Sequence, residues 1–153
     1  MHYIRINEVE QQFRKRVHYF VYERERKENS INHILHMDLV SINEDEQSIV
    51  LSFPVKAWAL NPAGNLHGGI ICSLLDVAMG CISYACSDAI FTPTIQMSVN
   101  FVKGILPNDI IYIEVFCDHV GKRMIQTRAI ARNQNNIVVA SAHASYAINT
   151  KKK

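Results

Sequence analysis

The chain has 153 residues, room for one ordinary domain and not for two sizeable ones. Hydrophobic residues make up 48% and charged residues 20%, so a packed core is expected and disorder is not. The net charge is only +2, with basic residues scattered apart from 14–16 and a terminal run at 151–153 that reads as a solvated tail, so nothing argues for a nucleic-acid partner.

The N-terminal residues MHYIRINEVEQQFRKR lack the apolar run of a signal peptide. The longest apolar stretch, residues 70–86, contains Asp76 and two serines and reads as too polar for a membrane span. A soluble, cytoplasmic protein with no membrane partner is expected. Cys72, Cys81, Cys86 and Cys117 form no C-x-x-C pair and no metal-like pattern with histidine. They read as reduced, buried thiols, with a nucleophilic cysteine as the alternative. No metal and no cofactor are implied.

In chain order, residues 7–28 have a helical pattern. Val9, Phe13, Val17, Phe20 and Val21 recur at helix spacing, and Glu10 with Arg14 and Glu23 with Lys27 make favourable i,i+4 pairs. Residues 1–30 are thus expected to be an N-terminal helical extension and 31–150 the main domain. The extension docks on its own subunit or covers a neighbour; plain packing is favoured over a ligand role. Two strands are expected at 33–42 and 48–55, joined by an acidic turn at 43–47. Ile49, Leu51, Phe53 and Val55 alternate as one buried face, and Pro54 puts the strand's end at an edge or bulge.

A loop at 59–66 leads to a buried helix of small and apolar residues at 68–87. The period then becomes two. In Thr94–Phe101 the odd positions Ile95, Met97, Val99 and Phe101 are apolar, and the even ones are polar. Strands at 109–119, 123–133 and 137–148 complete an antiparallel meander, with Gly121 in one turn and 133–136 forming the last. The fold class is α+β, a single apolar helix wrapped by an antiparallel sheet whose edges invite a partner subunit.

The chemistry concentrates in N61-P-A-G-N-L-H-G-G69, followed by I-I-C-S-L-L-D76. Gly68 and Gly69 let backbone approach a ligand, and the helix starting there presents N–H groups without intrahelical acceptors. Such an end can stabilise a carbonyl oxygen that becomes negative during acyl transfer. Asp76 is the only formally charged residue between Gly68 and Ser87. A carboxylate on so apolar a helix is costly unless paired, hydrogen-bonded or useful. The structural alternative is an Asp held by Ser73 or by a backbone N–H. Asp76 lies eight residues beyond Gly68, about 12 Å of helix rise at roughly 1.5 Å per residue. A base acts across about 3 Å, so Asp76 and Gly68 can share a substrate only if they come from different subunits.

N-x-x-G-x-x-H-G-G, with an acidic residue eight positions after the first Gly of the final pair, resembles the hot-dog-fold thioesterases of the PaaI type. The resemblance covers about residues 33–148, with V-N-F-V-K-G at 99–104 and P-N-D at 107–109 in register. It implies a long central helix wrapped by a curved antiparallel sheet, and hydrolysis of an acyl-CoA thioester to free acid and CoA. The Gly68 N–H would polarise the thioester carbonyl, and Asn61 would position water or substrate. His67 would hold the loop or assist at the thioester. Asp76 of the opposite subunit would be general base or nucleophile, and Thr94 would bond the water or Asp76. For His67, Asn61 and Thr94 the structural alternatives are a loop anchor, a turn cap and a plain strand threonine.

The spacing of Gly68 and Asp76 implies a homodimer, provided both groups are catalytic, and leaves a dimer of dimers open. Gly69 is a candidate for substrate binding, and Lys103, Lys122, Arg123 and Arg128 for the CoA phosphates, Lys103 and Arg123 foremost. Trp58, Met97 and Phe101 line the pocket or belong to the core; His33 and His36 are strand or loop residues. The acyl group is not legible, because aryl, hydroxyaryl and fatty acyl groups all occur in the family. Two rival readings are a hydroxyacyl-thioester dehydratase, whose His and acidic motifs are not found, and a non-catalytic acyl-CoA sensor. The stretch before the first strand is too short for the DNA-binding domain that such sensors usually carry.

Overall fold

The computed structural model describes residues 2–24 and 28–150, with side chains from residue 8 onward. The Glu23–Lys27 pair and the basic run at 151–153 therefore lie outside the described residues. The first helix, α1 (His2–His18), buries Phe13 and Val17, and the turn after it buries Phe20 and Val21. Val9, expected on this face, is 61% exposed instead. The helix does not run on to residue 28. It widens into a π turn (Tyr19–Glu23), closed by the Arg24 N–H donating to the Tyr19 carbonyl at 2.7 Å, and Arg24 is extended. Arg14 pairs with Glu44, its Nε 2.6 Å from Oε1, and not with Glu10 as the i,i+4 spacing suggested.

The segment expected to begin the first strand is instead a single helical turn, α2 (Ile31–Ile34). Ser30 caps it by accepting from the His33 N–H, and His36 at φ 52° ends it. Strand β1 (Asp38–Asn43) follows, then β2 (Ser48–Pro54), in which Ile49, Leu51 and Phe53 are buried as the alternation predicts. Pro54 lies beyond the last β1 partner, Ser52, where its missing N–H removes no bond from that ladder.

The central helix α3 (Gly68–Ala85) packs against β2, β3 (Thr94–Phe101), β4 (Ile110–Val120), β5 (Met124–Arg132) and β6 (Val138–Ala147). By length and apolarity α3 could cross a membrane, despite its aspartate and serines, yet 56% of it is buried within this fold. Its serines bond back into the helix: Ser73 to the Gly69 carbonyl and the buried Ser83 to the Met79 carbonyl. Arg16 satisfies the other end, donating from Nε to the Tyr84 carbonyl at 2.8 Å and from Nη2 to the Ala89 carbonyl. All four cysteines are free thiols, and burial pushes the Cys81 thiol up, so it stays protonated and is no activated nucleophile.

The six strands form one antiparallel sheet in the order β1-β2-β4-β5-β6-β3, the hot-dog arrangement that the resemblance implied. The meander β4-β5-β6 is as read from the sequence. Strand β3 crosses over to pair with β6, so it is an edge strand, and its outer edge has no strand neighbour among the described residues. That explains why its alternation does not end in burial: Ile95 and Phe101 are each 57% exposed, and only Met97 and Val99 pack against the core.

Candidate active site

The loop before α3 is organised by Asn61. Its Oδ1 accepts from the Ala63 and Asn65 N–H groups, both at 3.0 Å, and its own N–H and C=O close the turn to Asn65 and Gly64. The turn-capping role weighed for Asn61 is thus present in the fold. Its side chain also lines a cavity of about 330 Å³ shared with Gly68, Phe101 and Lys103.

His67 is the cap of α3, at φ −63°, ψ 135°. Its Nδ1 accepts the Gly69 N–H at 2.9 Å, and its carbonyl accepts the Ile70 and Ile71 N–H groups. An accepting Nδ1 carries no proton, so the neutral ring holds its hydrogen on Nε2. A Cβ on Gly69 would come within 3.1 Å of that ring, a tight contact that the imidazole would have to relieve by shifting a few tenths of an ångström. The Gly69 amide, expected at the substrate, is therefore engaged by His67. Of the first four amides of α3, only that of Gly68 finds no acceptor among the described residues. The resemblance had already named the Gly68 N–H; the His67 cap gives the physical reason why its neighbours are not equally open.

Asp76 lies two turns further on and lines a different cavity, of about 170 Å³. Its Oδ1 accepts from the Thr94 hydroxyl at 2.7 Å, and the Tyr146 hydroxyl lies 2.8 Å from the same oxygen and 2.9 Å from the Asp76 carbonyl. Ser73, the partner envisaged for a purely structural Asp76, bonds elsewhere. Oδ2 has no hydrogen-bond partner among the described residues, which leaves one carboxylate oxygen anchored and the other available. Burial, with the Asp76 charge beside it, drives the Tyr146 hydroxyl pKa upward, so the phenol remains a protonated donor. Tyr146→Phe is expected to lower stability by about 1.5–3 kcal/mol, the range for a hydrogen bond to a charged group. Urea unfolding would show it as a lower midpoint with an unchanged slope.

Tyr146 is the residue that sequence reasoning missed. It sits opposite Thr94 in the β3–β6 ladder and is 1% exposed. The signal was a tyrosine on the inward face of an alternating strand, whose hydroxyl must find a partner when buried. Phe20, Arg24 and Asn32 were also missed; all three line the Asp76 cavity. Lys103 reaches the Gly68 cavity, whereas Arg123 lines neither and Arg128 pairs with Asp118 while stacking on Phe116. Trp58 is exposed and lines neither cavity. A larger cavity, about 480 Å³ between α1, the end of α3 and Gly121, contains none of the expected site residues.

Within one chain the two candidate groups are thus apart: the cavities of Gly68 and Asp76 share no lining residue. A family model described as "Thioesterase superfamily" matches residues 63–140, just over half of the chain. The chain belongs to the thioesterase superfamily. The match includes Gly68, Asp76 and Thr94 and stops before Tyr146. Among solved structures, the E. coli PaaI protein from the phenylacetic acid degradation operon superposes with a TM-score of 0.79 at 20% identity, over 92% of this chain and 95% of that one. A Streptococcus mutans protein bound to acetyl-CoA gives 0.71 at 25% identity, over 86% and 99%. A Streptococcus pneumoniae protein with coenzyme A gives 0.68 at 22%, over 76% and 88%. A curated relative from Saccharolobus solfataricus that bears an esterase name is 31% identical over 67 residues, 44% of this chain and 48% of that relative, so the match spans about half of its length.

Proposed function

We propose that this member of the thioesterase superfamily hydrolyses acyl-CoA thioesters at a site built by two copies of the chain. The observation that carries the reading is the division of the machinery between separate cavities. An anchored carboxylate with one open oxygen lines one, and a helix-start amide without an acceptor lines the other. The bare β3 edge supplies the means of joining two chains, since unpaired strand edges bearing apolar residues template pairing with another copy. The structures of relatives holding acetyl-CoA and coenzyme A support the ligand class.

In the proposed reaction the thioester carbonyl rests against the Gly68 N–H of one subunit. Asp76 of the other takes a proton from water as the water oxygen bonds to the carbonyl carbon. The C–S bond then breaks and CoA leaves as its thiol, carrying the proton that Asp76 returns. Lys103, in the Gly68 cavity, is the cation nearest to hand for a CoA phosphate. Residues 1–30 are taken as the extension and 31–150 as the thioesterase domain.

Two measurements test the reading together. Thiol release from an acyl-CoA panel tests the reaction, and sedimentation of Ile95→Lys tests the assembly. A lysine on the exposed β3 edge should shift the protein to monomers and remove thiol release with the dimer. A monomeric Ile95→Lys protein that still cleaves the thioester at the wild-type rate would overturn the shared site.

A further inference from the structure

Gly80 sits in the interior of α3, where glycine is destabilising relative to alanine because it gives up the most backbone freedom on folding. Its backbone is ordinary helix, with no positive φ that would call for glycine. Packing does not call for it either. A Cβ added there would meet only the Tyr146 ring among the described residues, at an ordinary van der Waals distance of 3.7 Å. What the missing side chain leaves is space, and Gly80 lines the Asp76 cavity about one helical turn beyond the carboxylate. A methyl group at this position would stand beside the ring whose hydroxyl holds Asp76, within the room now left to a ligand.

That room is limited. A volume of about 170 Å³ is close to the roughly 150 Å³ of an engineered cavity that admits benzene, so it takes on the order of six carbon atoms. Val77, Phe91 and Pro93 give the cavity apolar walls, and the N-terminal extension supplies another in Phe20, which is 8% exposed and packs its ring 5.9 Å from that of Tyr84. Apolar walls around so small a space favour an uncharged hydrocarbon chain and reject one that is too long.

We infer that Gly80 determines acyl size: the space it leaves beside Asp76 holds a short, uncharged acyl chain of about six carbons. The reaction in this assignment rests on the thioesterase reading, whereas the pocket can be tested by binding alone. Acetyl-, hexanoyl- and dodecanoyl-CoA form the test series, and wild type should give its highest kcat/KM with hexanoyl-CoA. Gly80→Ala places one methyl group in the cavity. It should lower the hexanoyl-to-acetyl ratio of kcat/KM by about 10- to 200-fold, the worth of one methylene's fit in an apolar pocket. The melting temperature should meanwhile rise by about 2–4 °C, because alanine suits a helix interior better than glycine. A glycine needed only for packing would give the opposite pattern, a lower melting temperature with both thioesters slowed in parallel. An unchanged hexanoyl-to-acetyl ratio in Gly80→Ala, or a wild-type preference for dodecanoyl-CoA, overturns the inference. Should none of the three thioesters be cleaved, the thioesterase reading fails, and calorimetric Kd values decide the pocket. Hexanoyl-CoA binding tighter than acetyl-CoA by a margin that Gly80→Ala removes supports it. Equal binding of the two, or a margin that survives the substitution, overturns it.

Discussion

Asp76→Asn is expected to lower kcat for thiol release by about 10²–10⁴, the usual contribution of a positioned base. The substitution keeps the shape of the side chain. The retained Oδ1 can still accept from Thr94 and Tyr146, which in the native chain lie at 2.7 and 2.8 Å. What changes is the second atom: the open Oδ2 becomes an amide nitrogen that cannot take a proton or attack a carbonyl. Removing a charge from an apolar helix also removes a desolvation cost, so the melting temperature should hold or rise while activity collapses. That opposition separates a carboxylate retained for chemistry from one retained for structure, whose loss would lower stability and spare the reaction. Near-normal turnover would take Asp76 out of the mechanism. Single-turnover hydrolysis in oxygen-18 water divides the two remaining roles, since label entering Asp76 marks attack by the carboxylate and label confined to the product acid marks activation of water.

The features most legible in the sequence were those whose physics is local. A lone carboxylate among Leu74, Leu75, Val77 and Ala78 is conspicuous at any level of description, and the strict alternation of Ser48–Pro54 names its buried face directly. The features that stayed hidden depend on which strands become neighbours. Strand β3 is followed in sequence by β4 but pairs with β6, so the meeting of Thr94 with Tyr146 across Asp76 has no signature in spacing. The same crossover leaves β3 at the edge, which is why an alternating pattern produced exposed Ile95 and Phe101. The start of β1 was misread because Ser30 begins a helical turn through a cap and His36 ends it through a positive φ, and the intervening apolar residues suit either a strand or a helical turn. The π turn adds a residue to the last turn of α1, a shift that carries Arg24 to the Asp76 cavity and that helical periodicity does not foresee.

Gly68→Pro isolates the other half of the site. Proline has no N–H, so the substitution deletes the one amide of the α3 start that lacks an acceptor. The position suits it: the first helical residue is the favoured place for proline, and His67 already has the extended backbone, ψ 135°, that a residue before proline prefers. A Cβ there would meet only the Phe101 ring, at 3.5 Å. The helix should therefore persist while kcat falls by about 10²–10³, the cost of removing an oxyanion donor. Mixing makes the result decisive. In a dimer of one Asp76→Asn chain and one Gly68→Pro chain, both defects fall in one site and the other site pairs an intact Asp76 with an intact Gly68. Random exchange makes about half of the dimers mixed, each with one working site, so about a quarter of wild-type activity should return from two nearly inactive parents. If each chain completed its own site, every site in the mixture would carry one defect and no activity would return.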